Sequence, residues 1–326
     1  MPRLESVVFR AGDVQLAGTL TLPDADPPMD RGGRYPSVLL LPSWLPRDRD
    51  GAYDRIGHPD WFAHGPMGSN EGRPLARLAD ALARHGLASL RYDVRGCGAS
   101  QGSWPDSDLF TRIDDARDAL GWLRSRGDLD LRRTAIIGHG EGAAIAMSVA
   151  IADPAIGALT LVAGAARSLR DVLRRGVSWR AATGADRDQP LVNGLDRFAE
   201  ELIERADRHE PTMNLPLPGG QHVALRLAGW EQAFLTPPIA LASMLHRSVS
   251  LLHGEEDAWV APAESGLLDA ALRRGGNRPS LRLLPGTGHG LAEASDVLID
   301  EVAASLGERL LPRELPPVLL AIEEMG

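Results

Sequence analysis

Short apolar runs bounded by turn residues, separated by stretches of helical period, recur along most of this chain and restrict its fold more than any other feature. Residues 36–42 read Pro-Ser-Val-Leu-Leu-Leu-Pro, and further runs occupy Ala88 to Tyr92, Thr134 to Gly138 and Ala158 to Val162. Continuous runs of this length suit strands covered on both faces of a sheet. Between them, Pro74 to His85, Leu109 to Arg126 and Gly142 to Ile151 carry helical spacing. Such alternation implies right-handed crossovers and an α/β fold, a mostly parallel central sheet with helices on both faces. Ahead of the series, Val7, Phe9, Val14, Leu16, Leu20 and Leu22 follow a period of two, which reads as a β-hairpin forming an antiparallel edge.

The alternation stops between Ala165 and Met244. That segment is rich in arginine and helical in pattern over Ser168 to Trp179, Leu195 to His209 and Val223 to Phe234. The sheet then resumes at Val249 to His253 and Leu281 to Leu284, with helices over Pro262 to Arg274 and Leu291 to Leu310. The expected organisation is therefore an α/β core built from residues 1–164 and 246–326, with an all-helical cap, residues 165–245, inserted over the carboxyl edge of the sheet. The tail from Pro312 to Met325 reads as a short, partly amphipathic helix packed on its own domain.

Composition removes several functional classes. Forty-four acidic residues against 35 basic ones give a net charge of −9, where a nucleic-acid or membrane-surface binder would show a basic stripe. Every basic residue is arginine. Without lysine there is no Schiff-base chemistry, no pyridoxal phosphate attachment and no P-loop lysine. The single cysteine, Cys97, leaves no intrachain disulfide and no cysteine-based metal site. No uncharged apolar run reaches about 18 residues, and the N-terminus lacks the basic and apolar regions of a signal peptide. The expectation is a cytoplasmic protein, monomer or homodimer, acting on a small molecule without cofactor or metal.

The chemistry-bearing motif is Thr-Ala-Ile-Ile-Gly-His-Gly-Glu-Gly at 134–142, followed by Ala-Ala-Ile-Ala. Strand, then small-x-nucleophile-x-small, then helix is a nucleophile-elbow pattern, in which glycines admit a turn too tight for neighbouring Cβ atoms. The central position, Gly140, carries no nucleophile. A phosphate-binding glycine loop is the rival reading, but it belongs in the first βα unit, and Glu141 would repel a pyrophosphate. Two downstream motifs favour the elbow: His253-Gly-Glu-Glu-Asp257-Ala-Trp-Val-Ala-Pro262, in the form that carries a triad acid, and Thr287-Gly-His289-Gly, in the form of a triad histidine. The order elbow, acid, histidine is that of the α/β-hydrolases.

On these residues the chain resembles the α/β-hydrolase superfamily, near its esterase and dienelactone-hydrolase-like group, whose elbow typically reads Gly-His-Ser-Glu-Gly. The likeness extends over Leu16 to Leu20, Pro46 to Gly51, Leu78 to Arg84, Leu90 to Ser100, the elbow and the acid and histidine loops. It implies that Asp257 orients His289, and that the backbone N–H of Glu141 with one from the Ser43–Trp44 loop forms an oxyanion hole. Trp44, His139 and Trp259 are the expected substrate contacts. An insertion over residues 52–70 and the cap depart from the family pattern.

Glycine at 140 forbids acyl transfer through that residue, yet it also removes the strain that another residue would carry there, about 1–3 kcal/mol. A base facing two preorganised donors can still remove a proton beside a carbonyl and stabilise the enolate. Three readings follow. The first is a lyase in which the His289–Asp257 dyad drives β-elimination of a carboxylate such as acetate, similar to the acetate-eliminating enzymes of tetronate polyketide biosynthesis. The second is a carboxylic ester hydrolase whose serine has been replaced by Gly140; the third is a non-catalytic binding protein.

Other residues invite lesser roles. Cys97 lies outside the elbow and reads as a turn residue rather than a nucleophile. Asp93 and Arg95 are expected to brace their loop as an ion pair, and Glu141 to support the structure. Trp44, Trp61, Phe62 and Trp104 are candidate pocket walls. His58 and His64 read as surface histidines, and Arg167, Arg170, Arg174 and Arg175 as a solvated helix face.

Overall fold

The computed structural model describes residues 1–27, 33–43, 45–52, 73–183, 190–216, 220–257, 259–289 and 294–310. Eight strands form one sheet: β1 (Arg3–Ala11), β2 (Val14–Leu22), β3 (Tyr35–Leu41), β4 (Ala88–Tyr92), β5 (Leu129–His139), β6 (Ile156–Val162), β9 (Ser248–Gly254) and β10 (Ser280–Leu284), in spatial order β1-β2-β4-β3-β5-β6-β9-β10. The β1–β2 hairpin runs antiparallel and joins β4 antiparallel, while every other neighbouring pair is parallel. Alternation within a strand sends side chains to opposite faces. In β3, Leu39 and Leu41 enter one core with Leu90, Ile136 and Leu159, whereas Val38 and Leu40 enter the other with Ala135 and Ile137.

Helices cover both faces, as the alternating sequence requires. α1 (Pro74–Arg84) and α9 (Asp296–Leu310) bury Leu78, Leu82, Ile299 and Leu306 on one side. α2 (Leu109–Ser125), α3 (Glu141–Ala152) and α8 (Ala263–Arg274) bury Ile113, Leu120, Ile145, Val149 and Leu268 on the other. Asp108 caps α2 by accepting the N–H of Thr111 at 2.8 Å, satisfying one of the first-turn amides that a helix leaves unpaired. No helix among the described residues is long and apolar enough to cross a membrane.

The segment between β6 and β9 holds α4 (Leu169–Thr183), α5 (Pro190–Asp207), α6 (Ala228–Leu235) and α7 (Pro238–Met244), but it is not all-helical. Strands β7 (Thr212–Pro216) and β8 (His222–Arg226) pair antiparallel within it, with Met213 opposite Leu225 and Leu215 opposite Val223. The expected helix over Val223 to Phe234 is thus a strand followed by α6. Its first apolar positions, Val223 and Leu225, are two apart and complement Met213 and Leu215 across the hairpin; tertiary pairing overrides the helical spacing read through to Trp230. The cap has its own apolar cluster, in which Met213, Leu215, Leu225, Phe198, Leu202 and Trp230 meet Leu45 and Trp104 from the core. Helix α7 packs on α3 and α8 instead. The 52–70 insertion beyond Ala52, with Trp61, Phe62, His58 and His64, lies outside the described residues, as do Trp44 and the tail beyond Leu310.

Candidate active site

The parallel strands deliver three loops to one end of the sheet. β5 ends at His139, the chain turns at Gly140, and α3 begins at Glu141. Gly140 has φ 58° and ψ −118°, a combination strained for any residue with a Cβ. The turn is as tight as its glycines suggest: a Cβ on Gly142 would stand 2.6 Å from the carbonyl oxygen of Pro42. Gly140 donates its N–H to Val162 O at 2.9 Å and accepts that of Ala143 at 3.1 Å, so the elbow is tied to β6 behind it and to α3 ahead.

Asp257 follows β9 and His289 follows β10, and the two meet. His289 Nδ1 lies 2.8 Å from Asp257 Oδ2, with both side chains buried. The other carboxylate oxygen, Oδ1, accepts the N–H groups of Trp259 and Val260, each at 2.9 Å. Burial by itself would raise the pKa of Asp257. The charge of His289 and hydrogen bonds from His253 and His289 outweigh it and hold the carboxyl below its ordinary value. An ionised carboxylate only accepts, so His289 Nδ1 donates a hydrogen to it, and Nε2 is the ring nitrogen turned the other way. Nε2 faces the elbow, 3.4 Å from the point that a Cβ on Gly140 would occupy.

Two further histidines hold this dyad in place. His253, fully buried, sets Nε2 3.0 Å from Asp257 Oδ2 and 2.7 Å from Val260 O. Both neighbours are acceptors, so this nitrogen carries a hydrogen, leaving Nδ1 to accept from the Ser265 hydroxyl at 2.5 Å. In the sequence His253 is no more than the first residue of the acid motif; its spacing of four from Asp257 is the signal that marks it. His139, expected to touch substrate, instead donates from Nε2 to the backbone oxygen of His289 at 2.8 Å, with the rings 5.0 Å apart. It is absent from the cavity wall described below. Burial, then the neighbouring His289, pushes its pKa down to about 3, so it is a neutral prop under the His289 loop.

The elbow and His289 open onto a cavity of about 310 Å³. Ser43, Gly140, Glu141, Trp259 and His289 are among the residues that line it. Trp104 does not; it is buried in the cap cluster. Phe110 and Phe198 are the described aromatic residues that line it beside Trp259, and neither is marked by a motif. The Ser43 hydroxyl lies against the position of the missing Cβ at 140, with Ser43 Cβ at 3.1 Å from it. Glu141 turns its carboxylate to Arg112 (Oε2 to Nε 2.9 Å, Oε1 to Nη2 3.1 Å), which leaves its backbone N–H at the head of α3 beside the elbow.

The remaining tempting residues are structural. Asp93 and Arg95 do brace their loop, but not as a pair with one another. Asp93 binds Arg49 (Oδ1 to Nε 3.0 Å) and the N–H of Ala99; Arg95 binds Asp115 at 2.8 Å, Asp13 at 3.2 Å and Ala11 O. Cys97 is buried in the cap cluster, away from the cavity wall. Three cap arginines have acidic partners: Arg167 with Glu264, and Arg170 and Arg174 with Asp207. No group of three or more histidine, cysteine or acidic side chains that could hold a metal ion is found among the described residues.

A mixed sheet in this order, an elbow after β5, an acid after β9 and a histidine after β10 define an α/β-hydrolase scaffold. Solved structures agree. Est1E from Butyrivibrio proteoclasticus, determined with ferulic acid bound, superposes with a TM-score of 0.63 at 15% identity, over 94% of this chain and 100% of that one. The α/β hydrolase GrgF from Penicillium sp. sh18 gives 0.62 at 17% identity over 95% and 99%, and DcsB in complex with its substrate analogue gives 0.63 at 14% over 95% and 100%. Residues 12–233 match the model of the X-Pro dipeptidyl-peptidase (S15) family, and the chain belongs to that family. An uncharacterised protein of Mycobacterium tuberculosis is 39% identical over 79 residues, which are 24% of this chain and 27% of its own length; the match spans about a quarter of that relative.

Proposed function

We propose that this protein is a non-hydrolytic lyase on a hydrolase scaffold. In this reading His289 Nε2 removes a proton from the carbon next to a substrate carbonyl, and the electron pair forms a carbon–carbon double bond. The β carbon–oxygen bond breaks, and its pair leaves with a carboxylate such as acetate. His289 then passes its proton to solvent. Asp257 stabilises the imidazolium that forms in between, while the N–H of Glu141 at the head of α3 stabilises the enolate oxygen. The observation that carries the reading is the buried His289–Asp257 pair, with Nε2 beside an elbow whose central residue has no side-chain oxygen. An acylated polyketide-like intermediate fits this chemistry.

Carboxylic ester hydrolysis is the second reading. Family membership favours it, and the Ser43 hydroxyl beside the vacated position gives it an oxygen to consider. One experiment separates the two: a β-acetoxy ketone is incubated with the protein in ¹⁸O-water. Elimination yields the enone and unlabelled acetate, since neither acetate oxygen comes from water. Acyl–oxygen hydrolysis yields the β-hydroxy ketone and acetate carrying one ¹⁸O. Labelled acetate without enone refutes the lyase. His289→Ala is expected to slow elimination by about 10²–10⁴-fold, the usual contribution of a positioned general base.

A further inference from the structure

The cavity beyond His289 is walled by Leu109, Ile113, Val172, Leu173, Phe198 and Leu241, drawn from α2, α4, α5 and α7. Among the described residues, its charged wall side chains, His289 aside, are Asp114, Arg117, Glu141 and Arg167, and each already faces an opposite charge. Glu141 is paired with Arg112, Arg167 with Glu264, and Asp114 with Arg117 at 2.9 Å on one turn of α2. A charged ligand would have to leave water without gaining a counter-ion, which is costly in an apolar enclosure. An apolar chain entering the same space meets only favourable contacts.

We infer that the site takes an uncharged substrate with an unbranched or cyclic hydrocarbon chain of about ten non-hydrogen atoms, its carbonyl at His289, and that it rejects peptides bearing a free α-ammonium group. The length follows from 310 Å³ at about 30 Å³ for each group the size of a water molecule. The exclusion matters because a dipeptidyl peptidase must hold the ammonium of its substrate, and here the buried carboxylate described on the wall, Glu141, is already paired with Arg112, while Asp114 lies at the exposed rim beside Arg117. This names the substrate class for the reading above and rests on it only for where the carbonyl sits.

The test is calorimetric titration of the full-length protein with straight-chain methyl ketones of four to fourteen carbons. These have no leaving group, so binding is read apart from turnover, and failure of the elimination chemistry would leave this result untouched. Affinity is expected to tighten about fourfold per added methylene and to level off near ten non-hydrogen atoms, with alanyl-proline amide binding at least a hundredfold more weakly than a ketone of equal size. Ala199→Phe, which places a ring in the cavity, lowers the length at which affinity levels off; Ala144→Leu on α3 does the same if that variant does not fold. Affinity independent of chain length, a limit that neither folded variant moves, or tighter binding of the dipeptide overturns the inference.

Discussion

Replacing Gly140 by alanine tests whether this elbow is built around glycine rather than merely lacking serine. The backbone there has φ 58° and ψ −118°, and holding a non-glycine residue in such a region costs about 1–3 kcal/mol. The new methyl group also meets the Ser43 hydroxyl and comes within 3.1 Å of Ser43 Cβ. Ser43 can turn its hydroxyl aside, but its Cβ is fixed by the loop leaving β3, so a further 0.5–1.5 kcal/mol or about that is expected from an off-rotamer side chain. Gly140→Ala should therefore destabilise the protein by about 2–4 kcal/mol in urea unfolding. Ser43→Gly in the same background should return the rotamer part but not the backbone part, a coupling of about 1 kcal/mol in the double-mutant cycle. A Gly140→Ala variant within about 0.5 kcal/mol of the parent, or strict additivity with Ser43→Gly, would show that the hydroxyl does not occupy this space and refute the reasoning.

Other outcomes follow from the groups around the dyad. His253→Leu removes a donor from Asp257; kcat is expected to fall about tenfold, the worth of one such bond, with KM unchanged in steady-state assays. His139, with a pKa of about 3 when folded against an ordinary 6.5, refuses a proton that the unfolded chain accepts. Stability should therefore fall as pH drops from about 6.5 towards 3, and His139→Gln should flatten that slope by up to one proton, or about 1.4 kcal/mol per pH unit, in denaturant titrations at stepped pH. Asp257 leaves a residual slope of the same sign in both proteins, since a depressed carboxyl loses its contribution as pH falls through its folded pKa. Glu141→Gln strands Arg112, whose partner is nearly as buried as itself, and should cost about 3 kcal/mol of unfolding free energy, whereas Glu141→Gln combined with Arg112→Gln should recover part of it.

The legible parts of this molecule are those in which one segment carries its own instruction. The strand runs at 36–42, 88–92 and 134–138 need only their apolar continuity, and the elbow needs only its glycines, whose close approach to Pro42 O is a local consequence of the turn. Partners distant in sequence are less legible. Arg95 lies two residues from Asp93 but reaches Asp115 and Asp13, because the loop between β4 and α2 turns its side chain towards β1 and α2. The β7–β8 hairpin is hidden because five residues per strand give too few alternations to outvote a helical spacing. His139 misleads for a simpler reason: adjacency to a nucleophile position does not say on which side of the sheet edge a ring will lie.

His253 shows what that limit means for mechanism. A buried carboxylate receiving two imidazole N–H groups and two amide N–H groups is not the arrangement a core would adopt for stability, since an apolar replacement of similar volume is often neutral or stabilising. Glycine at 140, by contrast, relieves the elbow of strain at no cost to the fold. Among the described residues, the costly carboxylate and its imidazoles stand together, beside an elbow whose central position has no side-chain oxygen. The proposed elimination uses this arrangement directly: the base and its carboxylate act, and the elbow supplies backbone donors without a nucleophile.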